Sequence, residues 1–401
     1  LINLFGLLLY NSGIIFMKKI FLLGATGSVG KNTLKVIAEN KDLFSLIGIA
    51  ADSNLAEFNK ICDSFNPKYL FLNDPHKRSE INPNRDQIVL NSYAELESIF
   101  SDNDVDIIIS AIVGFEGLKS TFAAAKTGKT ILLANKESIV AGGQLLIDEI
   151  QKNKSKIIPL DSEHNAILQC LPDGRKIDEV KEVLITASGG PFFGSSEDDL
   201  KNVSIEEALA HPNWQMGAKI SVDSATLINK CLELIEASYL FDLDEKKIRL
   251  VIHPQSIIHS IVTYINGSSI AQMSNPSMKI PLASALGLTL GNRKIPISFN
   301  PINFDKLELN FFKFPEEHNS LESLARDIAR SKNSSGIIFN AANEIGVEAF
   351  LENKIQFTQI KEVISRTFDT SCLSNVSSIE EIFEIDKVAR NAAHKVIKSL
   401  N

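Results

Sequence analysis

The sequence predicts an α/β protein in three parts: an N-terminal strand–helix domain, a central α+β domain and a C-terminal helical bundle. Three observations predict it. Residues 18–135 alternate short apolar runs with amphipathic stretches, the signature of βαβ units and a parallel sheet. From about Lys156 that alternation gives way to strands separated by a Gly/Pro/Ser-rich segment and one long helical stretch. Beyond Pro296 and Pro301 the apolar residues recur at helical spacing. A chain of 401 residues, 44% hydrophobic and 22% charged, accommodates two or three packed units and excludes wholesale disorder.

In the first part, Lys19–Leu23, Ser45–Ala51, Tyr69–Leu72, Ile107–Ala111 and Thr130–Ala134 read as strands. Val29–Asn40, Asn54–Phe65 and Leu118–Lys126 read as helices, with a turn at Asn82-Pro83-Asn84-Arg85. In the second, Ile157–Asp161, Glu182–Ala187, Leu250–His253 and Ser260–Tyr264 read as strands, and Ala225–Phe241 as a helix. Ile257–Tyr264 is expected at a sheet edge. In the third, Leu321–Ser331, Gly336–Asn353, Phe357–Phe368 and Ile379–Ser399 read as helices. Ser378 with Glu381 resembles a capping box, and Ile382, Ile385, Ala389, Ala392 and Val396 form an apolar face. The expected boundaries are 17–150, 151–290, a linker over 291–310, and 311–401. The apolar stretch Leu1 to Phe16 has no preceding positive charge and is broken by Asn11, Ser12 and Gly13. It is expected to be an upstream extension ahead of Met17, rather than a signal peptide or a membrane span.

A net charge of −8 argues against nonspecific binding to nucleic acid or to an anionic membrane. Cys62, Cys170, Cys231 and Cys372 are widely spaced, which argues against a disulfide framework or a cysteine zinc site. Buried free thiols in a reducing compartment are expected.

The first strand runs into Gly24-Ala25-Thr26-Gly27-Ser28-Val29-Gly30, with a helix next. Glycines there let the backbone approach a pyrophosphate, and the helix N-terminus offers free N–H donors, so a Rossmann-like dinucleotide-binding domain is predicted. The spacing is G-x-x-G-x-x-G, looser than the strict fingerprint. Asp52, at the end of the second strand, stands where a carboxylate would accept a ribose 2′-OH and favour NAD. Ser53, Asn54 and the next helix's N–H groups suit a 2′-phosphate if Asp52 points away.

Asp161 and Glu163, two apart, share one face of an extended backbone, and hard oxygen ligands suit Mg²⁺ or Mn²⁺. Asn229 and Glu233 are one helical turn apart, with Lys230 three before Glu233; Glu233 is a third candidate carboxylate. Asp223 or Ser224 is the expected cap of that helix. Ser224, Asn229 and Lys230 are candidates to hold a phosphate, as is the loop Ser188-Gly189-Gly190-Pro191. His211-Pro212-Asn213-Trp214-Gln215-Met216-Gly217 carries the only Trp and reads as a lid. Asn135-Lys136-Glu137-Ser138 follows a strand's carboxyl end, where α/β sheets bind ligands.

The order Leu133–Ser138, Pro159–Asn165, Ala187–Phe192, His211–Trp214, Lys219–Glu233 and Val251–Ser260, with Asn340-Ala341-Ala342-Asn343-Glu344 near the end, resembles the 1-deoxy-D-xylulose 5-phosphate reductoisomerase family. The resemblance covers nearly everything after Met17. It implies an NADP-binding N-terminal domain, a catalytic domain and a C-terminal helical domain. It also implies a homodimer, a cytoplasmic location, and conversion of 1-deoxy-D-xylulose 5-phosphate to 2-C-methyl-D-erythritol 4-phosphate with NADPH and Mn²⁺, Mg²⁺ or Co²⁺. That is a step of non-mevalonate isoprenoid synthesis.

By matching motifs, Asp161, Glu163 and Glu233 are the implied metal ligands. Thr26, Gly27, Ser28, Val29, Asp52, Ser53, Asn54, Asn135, Glu137 and Gly217 are the implied cofactor contacts. Lys136, Ser162, Glu163, Ser188, His211, Ser224, Asn229, Lys230 and Glu233 are the implied substrate contacts. Lys136, Glu163, Glu233 and His211 are the implied catalytic residues. The implied chemistry is a retro-aldol and aldol rearrangement to a branched aldehyde, then hydride reduction, with Lys136 or a carboxylate handling protons. Two departures stand out. Asp52-Ser53 replaces the Gly, Asn, Ser or basic residues frequent in the family, and Ser274-Asn275-Pro276-Ser277-Met278-Lys279 replaces Gly-Asn-Pro-Asp-Met-Arg. The second is expected to loosen packing beside the site. A metal-free dehydrogenase and a noncatalytic NADP sensor are the rival readings; neither needs the acidic triad.

Overall fold

The structure is a computed structural model that describes residues 17–171, 177–196 and 198–400. The expected extension at 1–16 lies outside these residues.

Seven strands form the first sheet: β1 (Lys18–Leu23), β2 (Phe44–Ala51), β3 (Tyr69–Leu72), β4 (Ile88–Val89), β5 (Ile107–Ser110), β6 (Thr130–Leu133) and β7 (Lys156–Pro159). All pair in parallel, in the order β4-β3-β2-β1-β5-β6-β7. The helices α1 (Ser28–Glu39), α2 (Leu55–Phe65), α3 (Pro75–Arg78), α4 (Tyr93–Phe100), α5 (Gly117–Ala125) and α6 (Lys136–Lys152) connect them. Period-2 alternation divides the buried residues between two cores. Phe21, Leu23, Ile108, Ile131 and Leu133 face one side, while Ile20, Leu22, Ile107, Ile109 and Leu132 face the other. A parallel sheet covered on both faces requires such runs of apolar residues. The strand order reverses between β1 and β5, which opens a crevice at their carboxyl ends.

The boundary expected at 150 is corrected by β7. This strand hydrogen-bonds to β6 and so completes the first sheet rather than starting the second domain. Its short apolar run looks alike in either sheet; register with Thr130–Leu133 decides its place. The second sheet comprises β8 (Val180–Ala187), β9 (Ile248–Ile252), β10 (Ile258–Tyr264), β11 (Ser269–Met273) and β12 (Phe312–Lys313), ordered β11-β10-β8-β9-β12. Ile257–Tyr264 is therefore not an edge: β10 lies between β8 and β11. The half-polar β11 carries too weak an alternation to reveal itself in sequence. Strand β12, inside the segment assigned to the helical domain, pairs with β9.

Helices α7 (Ser162–Cys170) and α10 (Ile228–Leu240) pack on this sheet, with α8 (Ile205–Leu209) and α9 (Ala218–Ala225) against each other and α9 against α10. The helix expected over Ala225–Phe241 is α10 and starts three residues later: Ala225 ends α9, and Leu227 between the two helices has φ +60°. Helix α11 (Lys279–Leu288) returns to the first sheet. Its Leu282, Ala283, Ala285 and Leu286 share a core with Leu34 and Ile37 of α1. Lys279, at the departing position, bonds Glu39 Oε1 at 2.6 Å and Ser298 Oγ at 2.7 Å and so ties α11 to α1 and to the segment after α11. Helices α12 (Asn319–Ser331), α13 (Ser335–Leu351), α14 (Gln359–Asp369) and α15 (Ile379–Leu400) complete the chain. At α15, Glu381 N–H bonds Ser378 Oγ, while the Glu381 carboxylate turns back to Ser377 rather than Ser378. Ala393, not Ala392, is the buried member of its face. Cys62, Cys170 and Cys231 are buried free thiols, but Cys372 is exposed.

Candidate active site

Gly24 adopts φ +79°, and a Cβ there would lie 2.3 Å from the Ala111 carbonyl oxygen, so the turn after β1 touches the end of β5 backbone to backbone. Gly30 is equally confined, its Cβ position falling 2.3 Å from Gly24 O. Gly27 caps α1 without a side-chain hydrogen bond, and the first turn carries no acidic residue. Its N–H donors are available to an anion. From this turn a cavity of about 370 Å³ extends between the two sheets, lined by Gly27–Val29, Ala111–Val113, Asn135–Glu137, Asp161–Glu163 and the flap residues Trp214–Gly217.

The far end of this cavity is charged. Asp161 is the N-cap of α7, not an extended strand residue, and its Oδ1 accepts from Glu163 N and His164 N. The shared face with Glu163 therefore arises at a helix start, because Pro159 ends the strand. Glu233 comes from α10, where every residue from Ile228 to Tyr239 is buried. Oxygens of Asp161, Glu163 and Glu233 lie within 4.8 Å of one another. Two ammonium groups face them. Lys136 Nζ bonds Asp161 Oδ2 at 2.7 Å, Asn229 Oδ1 at 2.9 Å and Glu233 Oε1 at 3.0 Å. Lys230 Nζ lies 2.6 Å from Glu233 Oε2 and 3.5 Å from Glu163 Oε1.

Burial opposes charge at Lys136, yet Asp161 and Glu233 hold its ammonium well above the ordinary lysine range. Burial also opposes charge on Asp161, which Lys136 and His164 nevertheless keep well below the usual carboxylate range. At Glu233 burial and the Asp161 charge prevail and push the carboxyl up. Three hard oxygens round one point fit a divalent cation.

His164 supports this cluster. Its Nδ1 faces Asp161 Oδ1 at 3.0 Å and Glu236 Oε2 at 3.3 Å, and its Nε2 faces Glu233 O at 2.9 Å. Both ring nitrogens meet only acceptors, so the ring is an imidazolium. Burial alone would depress it, but Glu236 and Asp161 lift it to about 9. His211 is the opposite case. Its Nδ1 accepts from the Asn213 and Trp214 N–H groups, leaving Nε2–H for Ser188 Oγ at 2.9 Å. Burial and Lys230 lower it to about 4, so it is neutral. Gly190 takes φ +66° with its Cβ position 2.9 Å from Ser224 O, which seats the Ser188 loop on the end of α9. Ser224 also lines the cavity, and Ser162 Oγ donates to Glu163 Oε2 at 2.7 Å.

Three sequence profiles match the chain: 1-deoxy-D-xylulose 5-phosphate reductoisomerase over residues 20–143, and C-terminal domains of the same enzyme over 157–241 and 273–392. The reductoisomerase of Francisella tularensis subsp. novicida is 44% identical over 383 residues, covering 94% of this chain and 98% of that protein. The Thermodesulfovibrio yellowstonii enzyme is 42% identical and covered completely. The chain belongs to the 1-deoxy-D-xylulose 5-phosphate reductoisomerase family.

Among solved structures, the Zymomonas mobilis reductoisomerase in complex with NADPH superposes with a TM-score of 0.88 at 36% identity, covering 96% of this chain and all of that one. A reductoisomerase in complex with NADPH, fosmidomycin and magnesium gives 0.87 at 38% identity, covering 95% and 98%. The activity of the family is NADPH- and divalent-metal-dependent conversion of 1-deoxy-D-xylulose 5-phosphate to 2-C-methyl-D-erythritol 4-phosphate.

Among the expected cofactor contacts, Thr26, Asp52, Ser53 and Asn54 lie outside the cavity wall, whereas Gly27, Ser28, Val29, Asn135, Glu137 and Gly217 line it. Asp52 is engaged: its Oδ1 accepts from Asn73 Nδ2 at 3.0 Å, and Asn54 caps α2. Lys77 Nζ bonds Ser53 O at 3.0 Å, bringing a cation to the end of β2 that the local sequence lacks. Asp223 is not a cap but an interior residue of α9, bonded to Lys219. Lys219, Ser256, His259 and Met278 line the cavity although the sequence reading gave none of them a role in the site. His164 and His259 sat inside recognisable motifs, and their presence there was the available signal. Lys219, Ser256 and Met278 likewise stood within quoted stretches, Lys219–Glu233, Val251–Ser260 and Ser274–Lys279.

Proposed function

We propose that the residues divide the reaction as follows, a reading that rests on one observation: three carboxylates and two ammonium groups meet at the closed end of the cavity that begins at the glycine-rich turn. Asp161, Glu163 and Glu233 hold the metal, for which Mg²⁺ or Mn²⁺ is the fitting choice. A divalent cation supplies Lewis-acid polarisation of the substrate carbonyl and neighbouring hydroxyl, and NADPH supplies the hydride. Lys136 keeps its proton, so it acts as a hydrogen-bond donor to a substrate oxygen rather than as a base. Lys230, with Ser188, Ser224 and Asn229, binds the phosphate and fixes the sugar's far end, so that both steps occur without release. Neutral His211 orients Ser188. Trp214, whose indole packs edge-on against His259 at 6.0 Å, closes the flap against water.

Among the described residues no helix is long and apolar enough to cross a membrane. The reading includes a homodimer, twice the 44.1 kDa chain, working in the cytoplasm. The test follows NADPH oxidation on 1-deoxy-D-xylulose 5-phosphate with and without Mn²⁺ or Mg²⁺, repeated with NADH. Metal-dependent oxidation with NADPH preferred supports the reading. Activity that survives a chelator favours the metal-free dehydrogenase, and cofactor binding without turnover favours the sensor.

A further inference from the structure

The C-terminal helices take no part in the chemistry just described, yet two residues of α13 reach it. Glu344 Oε1 accepts the Phe115 N–H at 2.8 Å. Gly114 lies so close that a Cβ on it would sit 3.0 Å from the same oxygen. Glu344 Oε2 pairs with Arg390 of α15, whose Nε bonds Asp386 at 2.6 Å and whose guanidinium lies 5.6 Å from the Phe115 ring. The loop held in this way is Ala111–Glu116, and its first three residues line the cavity.

That loop starts where the Ala111 carbonyl meets the glycine-rich turn, the expected pyrophosphate site, and lines the same cavity as the carboxylate cluster, the expected substrate site. The nicotinamide has to occupy the space between them to deliver hydride. The loop's other side is tied by Asn135 Nδ2, which lies 2.7 Å from Ile112 O and 2.8 Å from Gly114 O. The contacts close a ring. Asn135 bonds Glu137, Glu137 pairs with Lys219 at 2.6 Å, Lys219 pairs with Asp223 at 2.7 Å, and Asp223 accepts from Asn343 Nδ2 at 2.9 Å, next to Glu344. Lys219 and Asp223 belong to α9, the helix that begins where the flap ends.

We propose that Glu344, backed by Arg390, is a positioning residue for the nicotinamide end of NADPH, acting through the backbone of loop 111–116. The inference rests on the reductoisomerase reading, which puts the cofactor in this cavity. A loop clamped from Asn135 alone hinges; clamped from both sides it presents a fixed wall, and the cofactor binds without first ordering it.

The test measures the NADPH dissociation constant by fluorescence on metal-free protein, and steady-state kinetics on the metal-loaded enzyme. Glu344→Ala loses both acceptors and should weaken NADPH roughly tenfold, the usual scale for a lost buried hydrogen bond to a charged group. It should also lower kcat while leaving KM for the sugar phosphate within twofold. Glu344→Gln keeps an oxygen for Phe115 N–H and should recover most of the NADPH affinity. Should Glu344→Ala not fold, Glu344→Met keeps the packing stem and carries the same expectation. NADPH affinity within twofold of the parent in the acceptor-free variant overturns the proposal, as does equal impairment of the Gln and acceptor-free variants. A parent protein that binds no NADPH would instead overturn the functional reading beneath it.

Discussion

Lys136 and Glu233 set the charge of the site between them. Removing the Glu233 carboxylate takes away one of three oxygens around the cation position and one partner each of Lys136 and Lys230. Glu233→Gln should therefore lower turnover by roughly 10²-fold or more, while NADPH affinity stays near the parent value. Near-normal turnover would remove Glu233 from the metal site. His164 makes a prediction in pH. Its folded value of about 9 lies above the ordinary 6.5, so the imidazolium stabilises the fold fully below pH 6.5 and that contribution fades as pH rises through 9. In metal-free protein, His164→Gln should be destabilised by the order of 3 kcal/mol near pH 6 and by much less near pH 10, read from urea midpoints. A gap that does not change with pH would mean the ring is neutral in the fold. The residue types at this scale were legible, since carboxylates, Lys136 and Lys230 stood in recognisable runs. Their protonation was not, because it depends on neighbours from three different helices.

Short-range patterning located most helices and strands to within a residue or two. Tyr69–Leu72 was read with its observed ends, for instance, because four apolar residues between turn signals leave little latitude. The misreadings share a cause. The break at Leu227 needs a positive φ from a residue that seldom takes one, which no local signal announces. Asn229, Lys230 and Glu233, which line the cavity, follow directly after that break. Gly190 is the corresponding element-scale joint on the phosphate side. Gly190→Ala, forced to φ +66° against Ser224 O, should raise KM for the sugar phosphate roughly tenfold and lower Tm by several degrees, with NADPH affinity unchanged. An unaltered KM would separate this loop from phosphate binding.

At the scale of the whole molecule, the site is a meeting of parts that are distant in sequence. Lys136 follows the first sheet, Asp161 and Glu163 begin α7, Glu233 comes from α10, and Asn343 and Glu344 approach from the C-terminal bundle. The assembly predicts that a chelator abolishes NADPH oxidation and that added Mg²⁺ or Mn²⁺ restores it. The homodimer proposed above predicts that sedimentation at micromolar concentration yields twice the 44.1 kDa chain mass. Oxidation that persists after metal removal, or a purely monomeric boundary, would count against these respective points. By itself the sequence determined the α/β class, the glycine-rich turn, the family and the residue types at the reacting end. Those are written in local period, in turn chemistry and in contiguous motifs. Only the tertiary structure decided that β7 joins the nucleotide sheet and α11 its core, that Asp52 faces Asn73 while Lys77 approaches Ser53, and that Lys136 stands between Asp161 and Glu233. Each of these depends on which surfaces pack together, and an apolar run or a charged side chain carries no record of its partner until the chain has folded.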